Sequence, residues 1–391
     1  MLMVKRPLAF LIAFSLAVAA LGATEWALAR FLPFNDPFAR FKVEDRGSAY
    51  VPSAHQPNYS LRITPEEDLP GVRGASLFTT NNLGFRGPTL VRPKPKEEYR
   101  IVMIGGSTTE CMVVDDGVAP HRILEEALAG KLPGRTIRVY NAGKAGDKSY
   151  DHIALLAHRV VHLQPDLITV LVGANDLRAA MMGADYLHMG EAGGFKYSLG
   201  VLLKFAATEF QIPRRLYALL HNVKGKTERE RLEEVQLLTD YREKASLKTG
   251  HPVSEAAPRT DLVPYRNNLA TLVGIARAHG IQLVFVTQAT TWNSQIDPST
   301  VNWHWMTLVD GVLYREDRLD SAMESYNDEM RTLSAQQAVP VFDLARVAPK
   351  SLEFFYDDEH FNTKGAAMFG ARLADFIATR VWPRTPPAWH P

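Results

Sequence analysis

The sequence predicts an α/β protein: a three-layer α/β/α sandwich around a mainly parallel five-stranded sheet, interrupted by insertions. Two observations predict it. Short apolar runs recur at residues 100–104, 137–140, 167–172, 281–286 and 339–342, mostly Val, Ile and Leu, each bounded by turn residues. Continuous runs of this kind suit strands buried on both faces. Helical patterns lie between them, at 123–132, 150–163, 262–278 and 319–335, and a last one follows at about 364–380. Alternation of strand and helix favours right-handed crossovers onto one sheet.

The chain opens on Lys5 and Arg6, followed by an apolar run from Pro7 to Ala23 that stops before Glu25. A charged flank before an apolar stretch is the layout of a secretory signal. It is also close to the shortest bilayer-spanning helix, with Trp26 at the interface. Residues 1–30 are therefore expected to be a signal or membrane anchor. Ala20 and Gly22 offer cleavage points, and the main domain is expected outside the cytoplasm, anchored or released. Residues 31–98 are rich in Pro, Asn, Gly and Arg and predict an irregular extension wrapped around the main domain. Within it, Asn81 to Gly87 reads as a turn with one apolar anchor, and Pro93-Lys94-Pro95-Lys96 as a stiff spacer.

The main domain is expected over 99–385, with insertions at about 177–260 and 288–316, because gaps that long inside a compact domain are insertions rather than linkers. The alternating charges from Glu228 to Glu234 suit a solvated helix face. Trp292, Trp303, His304 and Trp305 either line a cleft or pack the second insertion onto the body. The formal net charge of +1 gives no electrostatic case for a nucleic-acid partner. A single cysteine, Cys111, excludes an intrachain disulfide and a Cys-built zinc site. Its two readings are a small buried apolar side chain or a reactive thiol near Ser107.

In an open parallel sheet, ligands bind beyond the carboxyl ends of the strands. Four such places carry useful chemistry. Gly105-Gly106-Ser107-Thr108-Thr109 would turn sharply and set Ser107 at the head of a helix, where developing negative charge is favoured. Asn141-Ala142-Gly143-Lys144-Ala145-Gly146-Asp147 places a glycine whose N–H is open to a ligand. Gly173-Ala174-Asn175-Asp176 supplies a side-chain amide, Asn175. Each of these is by itself also an ordinary polar turn. Tyr356-Asp357-Asp358-Glu359-His360-Phe361-Asn362 precedes the last helix. There Asp357 can curl back onto His360 Nδ1 and leave Nε2 free for a proton. An Asp-x-x-His pair also serves metals, but no third ligand stands at suitable spacing. In order along the chain, these places hold a nucleophile, oxyanion donors, a base and its orienter, the parts acyl transfer needs.

On these residues the chain resembles the SGNH (GDSL-like) hydrolases, whose conserved blocks contribute Ser, Gly, Asn and His. The resemblance covers about residues 99–380 apart from the insertions, and implies a flavodoxin-like sheet. Ser107 matches the first block, Gly146 the second, Asn175 the third, and Asp357 with His360 the fifth. Gly106 stands where the first block usually has aspartate, as in related bacterial proteins with Gly-Gly-Ser-Thr-Thr. Asn82 to Gly87 is similar to a leader of bacterial envelope members. The resemblance implies a serine esterase with Ser107, Asp357 and His360 as its triad. Its oxyanion hole would be the N–H groups of Ser107 and Gly146 with the Asn175 amide. No cofactor and no metal are implied. The expected substrate is an acylated carbohydrate, with acetyl the expected acyl group, or another ester. The alternatives are a polysaccharide O-acetyltransferase using the same residues, or a non-catalytic glycan-binding envelope protein. A nucleotide-binding flavodoxin-like protein would need a glycine-rich phosphate loop after the first strand, which is missing here.

Overall fold

A computed structural model describes residues 5–32, 55, 57–65, 69–132, 134–184, 206, 210–220, 235–236 and 248–382. Most of the first expected insertion, including Glu228 to Glu234, lies outside the described residues. The chain forms two compact units, Met1–Lys42 with Gly190–Glu233, and Val43–Met189 with Glu234–Pro391.

The first unit contains the helix Lys5–Phe31 and the helix Gln211–Leu220. Residues Ile12–Phe31 are long and apolar enough to cross a membrane, and none of their side chains is buried. The Glu25 carboxylate accepts the N–H groups of Gln211 and Ile212, the latter at 2.9 Å. A carboxylate at a helix start satisfies donors that have no partner within the helix.

In the second unit the central sheet is built from β3 (Glu98–Gly105), β4 (Thr136–Asn141), β5 (Leu167–Leu171), β8 (Gln282–Val286) and β11 (Val341–Phe342). Its order is β11-β8-β5-β3-β4, with every neighbouring pair parallel. The predicted sandwich is thus present, each strand falling on an apolar run. Alternate residues of β3 feed opposite layers, as the two-residue repeat of a strand requires. Val102 and Ile104 join Leu269 and Leu272 of the helix Leu262–Ala278 and Met323 of the helix Glu316–Gln336. Ile101 and Met103 join Leu124 of the helix Pro120–Ala129 and Phe369 and Leu373 of the helix Thr363–Phe376. Each fully buried side chain of this size is worth roughly 1.5–3 kcal/mol of burial.

Two short strands, β1 (Ser60–Thr64) and β2 (Ser76–Thr79), pair antiparallel ahead of β3, and β6 (Val235–Gln236) pairs parallel with β1. The second insertion adds β9 (Leu308–Val309) and β10 (Val312–Tyr314), with β7 (Val253–Ser254) beside β10. The order of connection reverses between β3 and β5: from β3 the chain steps out to β4 on one side, then crosses to β5 on the other. Ligand crevices form at such a reversal, beyond the strand ends.

Candidate active site

Ser107 follows β3 directly and opens a helix of only one turn, Ser107–Glu110. Ser107 thus heads a helix as the sequence predicts, but a single turn of one. It stops because Cys111 adopts a left-handed conformation at φ 49°, and the chain then loops to Pro120. No extended helix dipole points at Ser107. Neither glycine before it leaves room for a side chain. A Cβ on Gly105 would lie 2.0 Å from Thr109 Oγ1 and 2.8 Å from the Leu171 carbonyl. One on Gly106 would lie 2.7 Å from Asn175 Nδ2, so an aspartate there would displace that amide.

His360 arrives from the other end of the domain. Its Nε2 lies 2.7 Å from Ser107 Oγ, and its Nδ1 lies 2.6 Å from Asp357 Oδ2. The other Asp357 oxygen accepts the N–H groups of Glu359 at 2.9 Å and His360 at 2.7 Å. One residue thus fixes both the loop and the ring. The ring stacks with Tyr356 at 5.4 Å and with Trp305 at 6.2 Å. Behind it Asn362 caps the helix Thr363–Phe376, accepting the Gly365 N–H at 3.0 Å.

Asn175 lies in the first turn of the helix Ala174–Met181 after β5, and its Nδ2 donates to the Asp147 carbonyl at 2.9 Å. That bond brings the Gly146–Asp147 turn and Asn175 together beside Gly106. Gly146 itself holds φ +87°, a conformation natural to glycine. Neither the Ser107 N–H nor the Gly146 N–H has a hydrogen-bond partner among the described residues. All five residues singled out from the sequence therefore lie at the sheet's carboxyl edge.

A family model for GDSL-like lipases and acylhydrolases matches residues 103–368, well over half of the chain. The chain belongs to the GDSL-like lipase/acylhydrolase family. It is a serine ester hydrolase of the SGNH kind. Similar solved structures include a lipase/acylhydrolase of Enterococcus faecalis, 16% identical with a TM-score of 0.40, covering 73% of this chain and 98% of that one. An acetylxylan esterase of Geobacillus stearothermophilus is 15% identical with a TM-score of 0.40, covering 73% and 97%. A GDSL-like lipase of Bacteroides thetaiotaomicron is 13% identical with a TM-score of 0.39, covering 74% and 91%. The search of curated proteins gave no match.

In this GDSL-like hydrolase three carboxylates act on His360. Burial opposes an imidazolium, but Asp357, then Glu359 and Asp358, outweigh it and raise the ring to about 9. Burial also acts on Asp357, where the His360 charge and hydrogen bond win and hold the carboxyl below its usual range. Burial raises Asp358 to about 6 and Glu359 to about 7. The second insertion ties into this loop through Asp358. Its Oδ2 accepts the Met306 N–H at 2.8 Å, and its carbonyl accepts the Thr291 N–H at 2.9 Å. The insertion's aromatics pack onto the body: Trp292 and His304 are buried, Trp303 and Trp305 lie against the core, and Trp305 also stacks on His360.

Several supporting residues carried only a weak sequence signal. Asp176, in the same motif as Asn175, is fully buried and accepts the Ser149 hydroxyl at 2.5 Å, tying the third block to the second. Arg86 lies in the quoted leader, and Glu359 beside His360, yet nothing in the pattern distinguished either. Cys111 is buried, and burial, partly offset by Arg86, pushes its thiol up to about 12, so it stays protonated and inert. Among the described residues no group of His, Cys, Asp and Glu could hold a metal ion.

Proposed function

We propose that Ser107, His360 and Asp357 act as a catalytic triad that removes O-acyl groups, acetyl above all, from carbohydrate of the cell envelope or secreted polysaccharide. The continuous relay from Ser107 Oγ to His360 Nε2 at 2.7 Å, and from Nδ1 to Asp357 at 2.6 Å, carries this reading. The Ser107 proton passes to Nε2 as Oγ bonds the ester carbon. The oxyanion is met by the N–H groups of Ser107 and Gly146 and by the Asn175 amide. Collapse expels the sugar alkoxide, which takes the proton from the imidazolium. Water then repeats the sequence on the acyl-enzyme. The apolar helix Lys5–Phe31 supports a place at the outer side of a membrane, as signal or anchor. The catalytic domain in this reading spans 99–385, with 31–98 as its wrap.

Fluorophosphonate labelling tests the nucleophile: wild type takes up one label at Ser107, and absence of labelling ends the proposal. Asn175→Ala loses one oxyanion donor and should lower kcat by about 10²–10³ with little change in KM. Steady-state kinetics on an aryl acetate measures this, and an unchanged kcat removes Asn175 from the oxyanion hole.

The pH profile follows from the raised imidazole. His360 must be neutral to accept the Ser107 proton, and its value is near 9. kcat/KM should climb through neutral pH and level off only above about 9. An ordinary imidazole would instead give the rise from about pH 6 to 8 that the sequence alone suggests. A profile flat across neutral pH contradicts His360 as the base.

A further inference from the structure

Glu359 is buried to 1% exposure, and its Oε1 has no hydrogen-bond partner among the described residues. Buried polar groups are nearly always paired, so an orphaned one calls for a reason. That oxygen lies 3.8 Å from His360 Nε2, the same nitrogen that meets Ser107 Oγ at 2.7 Å. Once Ser107 is acylated, its Oγ has no proton to give, and Nε2 is open to a second hydroxyl. The 3.8 Å separation is short enough for one oxygen atom to lie about 2.8 Å from both Nε2 and Oε1, within ordinary hydrogen-bond lengths.

We infer that Glu359 holds the attacking water against His360 and selects water over an alcohol as acyl acceptor. The inference rests on the acyl-Ser107 reading and deepens it. Water carries two hydrogens: one goes to Nε2 as its oxygen bonds the acyl carbon, and the other is held by Glu359. The tetrahedral intermediate then breaks the bond to Ser107 Oγ, which recovers the proton from His360, and the acid leaves. An alcohol has a single hydrogen, needed by Nε2. It would turn a lone pair towards the carboxylate, and that contact is repulsive. A carboxylate here therefore favours hydrolysis, whereas a side chain able to donate favours transfer to a hydroxyl.

The test uses the full-length chain, p-nitrophenyl acetate as donor, and methanol as competing acceptor, with acetate and methyl acetate both measured. Glu359→Gln should still release a burst of nitrophenolate, one per Ser107. Its ratio of methyl acetate to acetate should rise about tenfold or more over wild type, the scale of one hydrogen bond to a charged group. A smaller change overturns the inference. Because the readout is a ratio, a variant with a reduced folded fraction still reports it. Wild type gives a second readout needing no variant. The ratio should rise as pH falls and the Glu359 carboxyl, held up by burial, becomes a donor. A ratio independent of pH also overturns it. The other charged groups around Glu359 are His360, Asp357, Asp358 and Arg178. His360 serves as base for both acceptors, so the fraction of neutral ring cancels from the ratio, and in that reacting form it no longer lowers Glu359. A wild type that forms no acyl-Ser107 is the distinct result that defeats the triad itself.

Discussion

Ser107→Ala should abolish ester turnover, by a factor on the order of 10⁴ or more, while leaving the protein folded. The two halves of this expectation have different physical origins. Among the described residues the Ser107 hydroxyl meets His360 alone, at 2.7 Å, and it lies half-buried at the rim. Removing it strands no buried carbonyl and opens no large cavity, so thermal unfolding should stay within about 1 kcal/mol of wild type. Turnover falls because no other group can replace the nucleophile. Cys111, four residues on, is a buried thiol held protonated, with its Sγ turned to the Thr108 carbonyl at 3.0 Å. Activity on an aryl acetate, measured beside fluorophosphonate labelling, decides the matter. Equal activity in variant and wild type would show that Ser107 is not the nucleophile.

The sheet was readable because its strands are covered on both sides. Val102 and Ile101 serve opposite layers, so residues 101–104 of β3 stay apolar on both faces. Asp357 and His360 were readable because a three-residue spacing is local: Asp357 captures both the ring and the N–H groups of its own loop. What was hidden depends on contacts between distant segments. The one-turn helix after Ser107 ends at a left-handed Cys111, which no periodicity marks. Glu359 looks like any acidic residue until its depth and its distance to Nε2 are known. The raised His360 value has the same origin, since three carboxylates around one imidazole set it rather than the residue type. Arg86 is the clearest case, because its partners lie some thirty residues downstream.

Arg86→Ala should destabilise the fold by about 3–5 kcal/mol, the scale for removing one partner of a buried ionic and hydrogen-bonded cluster. The guanidinium is 1% exposed and uses all five of its N–H donors. Nε and one terminal nitrogen donate to Asp116 Oδ1 at 2.9 and 2.6 Å. The remaining donors reach the carbonyls of Glu110 and Cys111 at 2.7 Å and of Val114 at 2.8 Å. Phe78 covers the guanidinium at 4.7 Å. Those three carbonyls belong to the end of the Ser107 turn and the loop behind it, where no regular helix satisfies them. Arg86 stands in for the missing helix. Its own backbone is fixed by paired bonds with Asn141, at 2.9 and 2.8 Å, on the edge strand β4. Truncation leaves the buried carbonyls of Glu110 and Val114 without donors, while the Cys111 carbonyl keeps the Val114 N–H at 3.0 Å and Asp116 keeps Thr79 on its other oxygen, and it frees the turn that aims Ser107. kcat per folded molecule should therefore also fall, since a displacement near 1 Å at a reacting group costs about 10². Lysine should restore little, because one ammonium has three donors and no planar fork. Denaturant unfolding gives the stability change, and kcat at a temperature where both proteins are folded gives the rest. An Arg86→Ala protein as stable and as active as wild type would mean that the turn holds its shape without this residue.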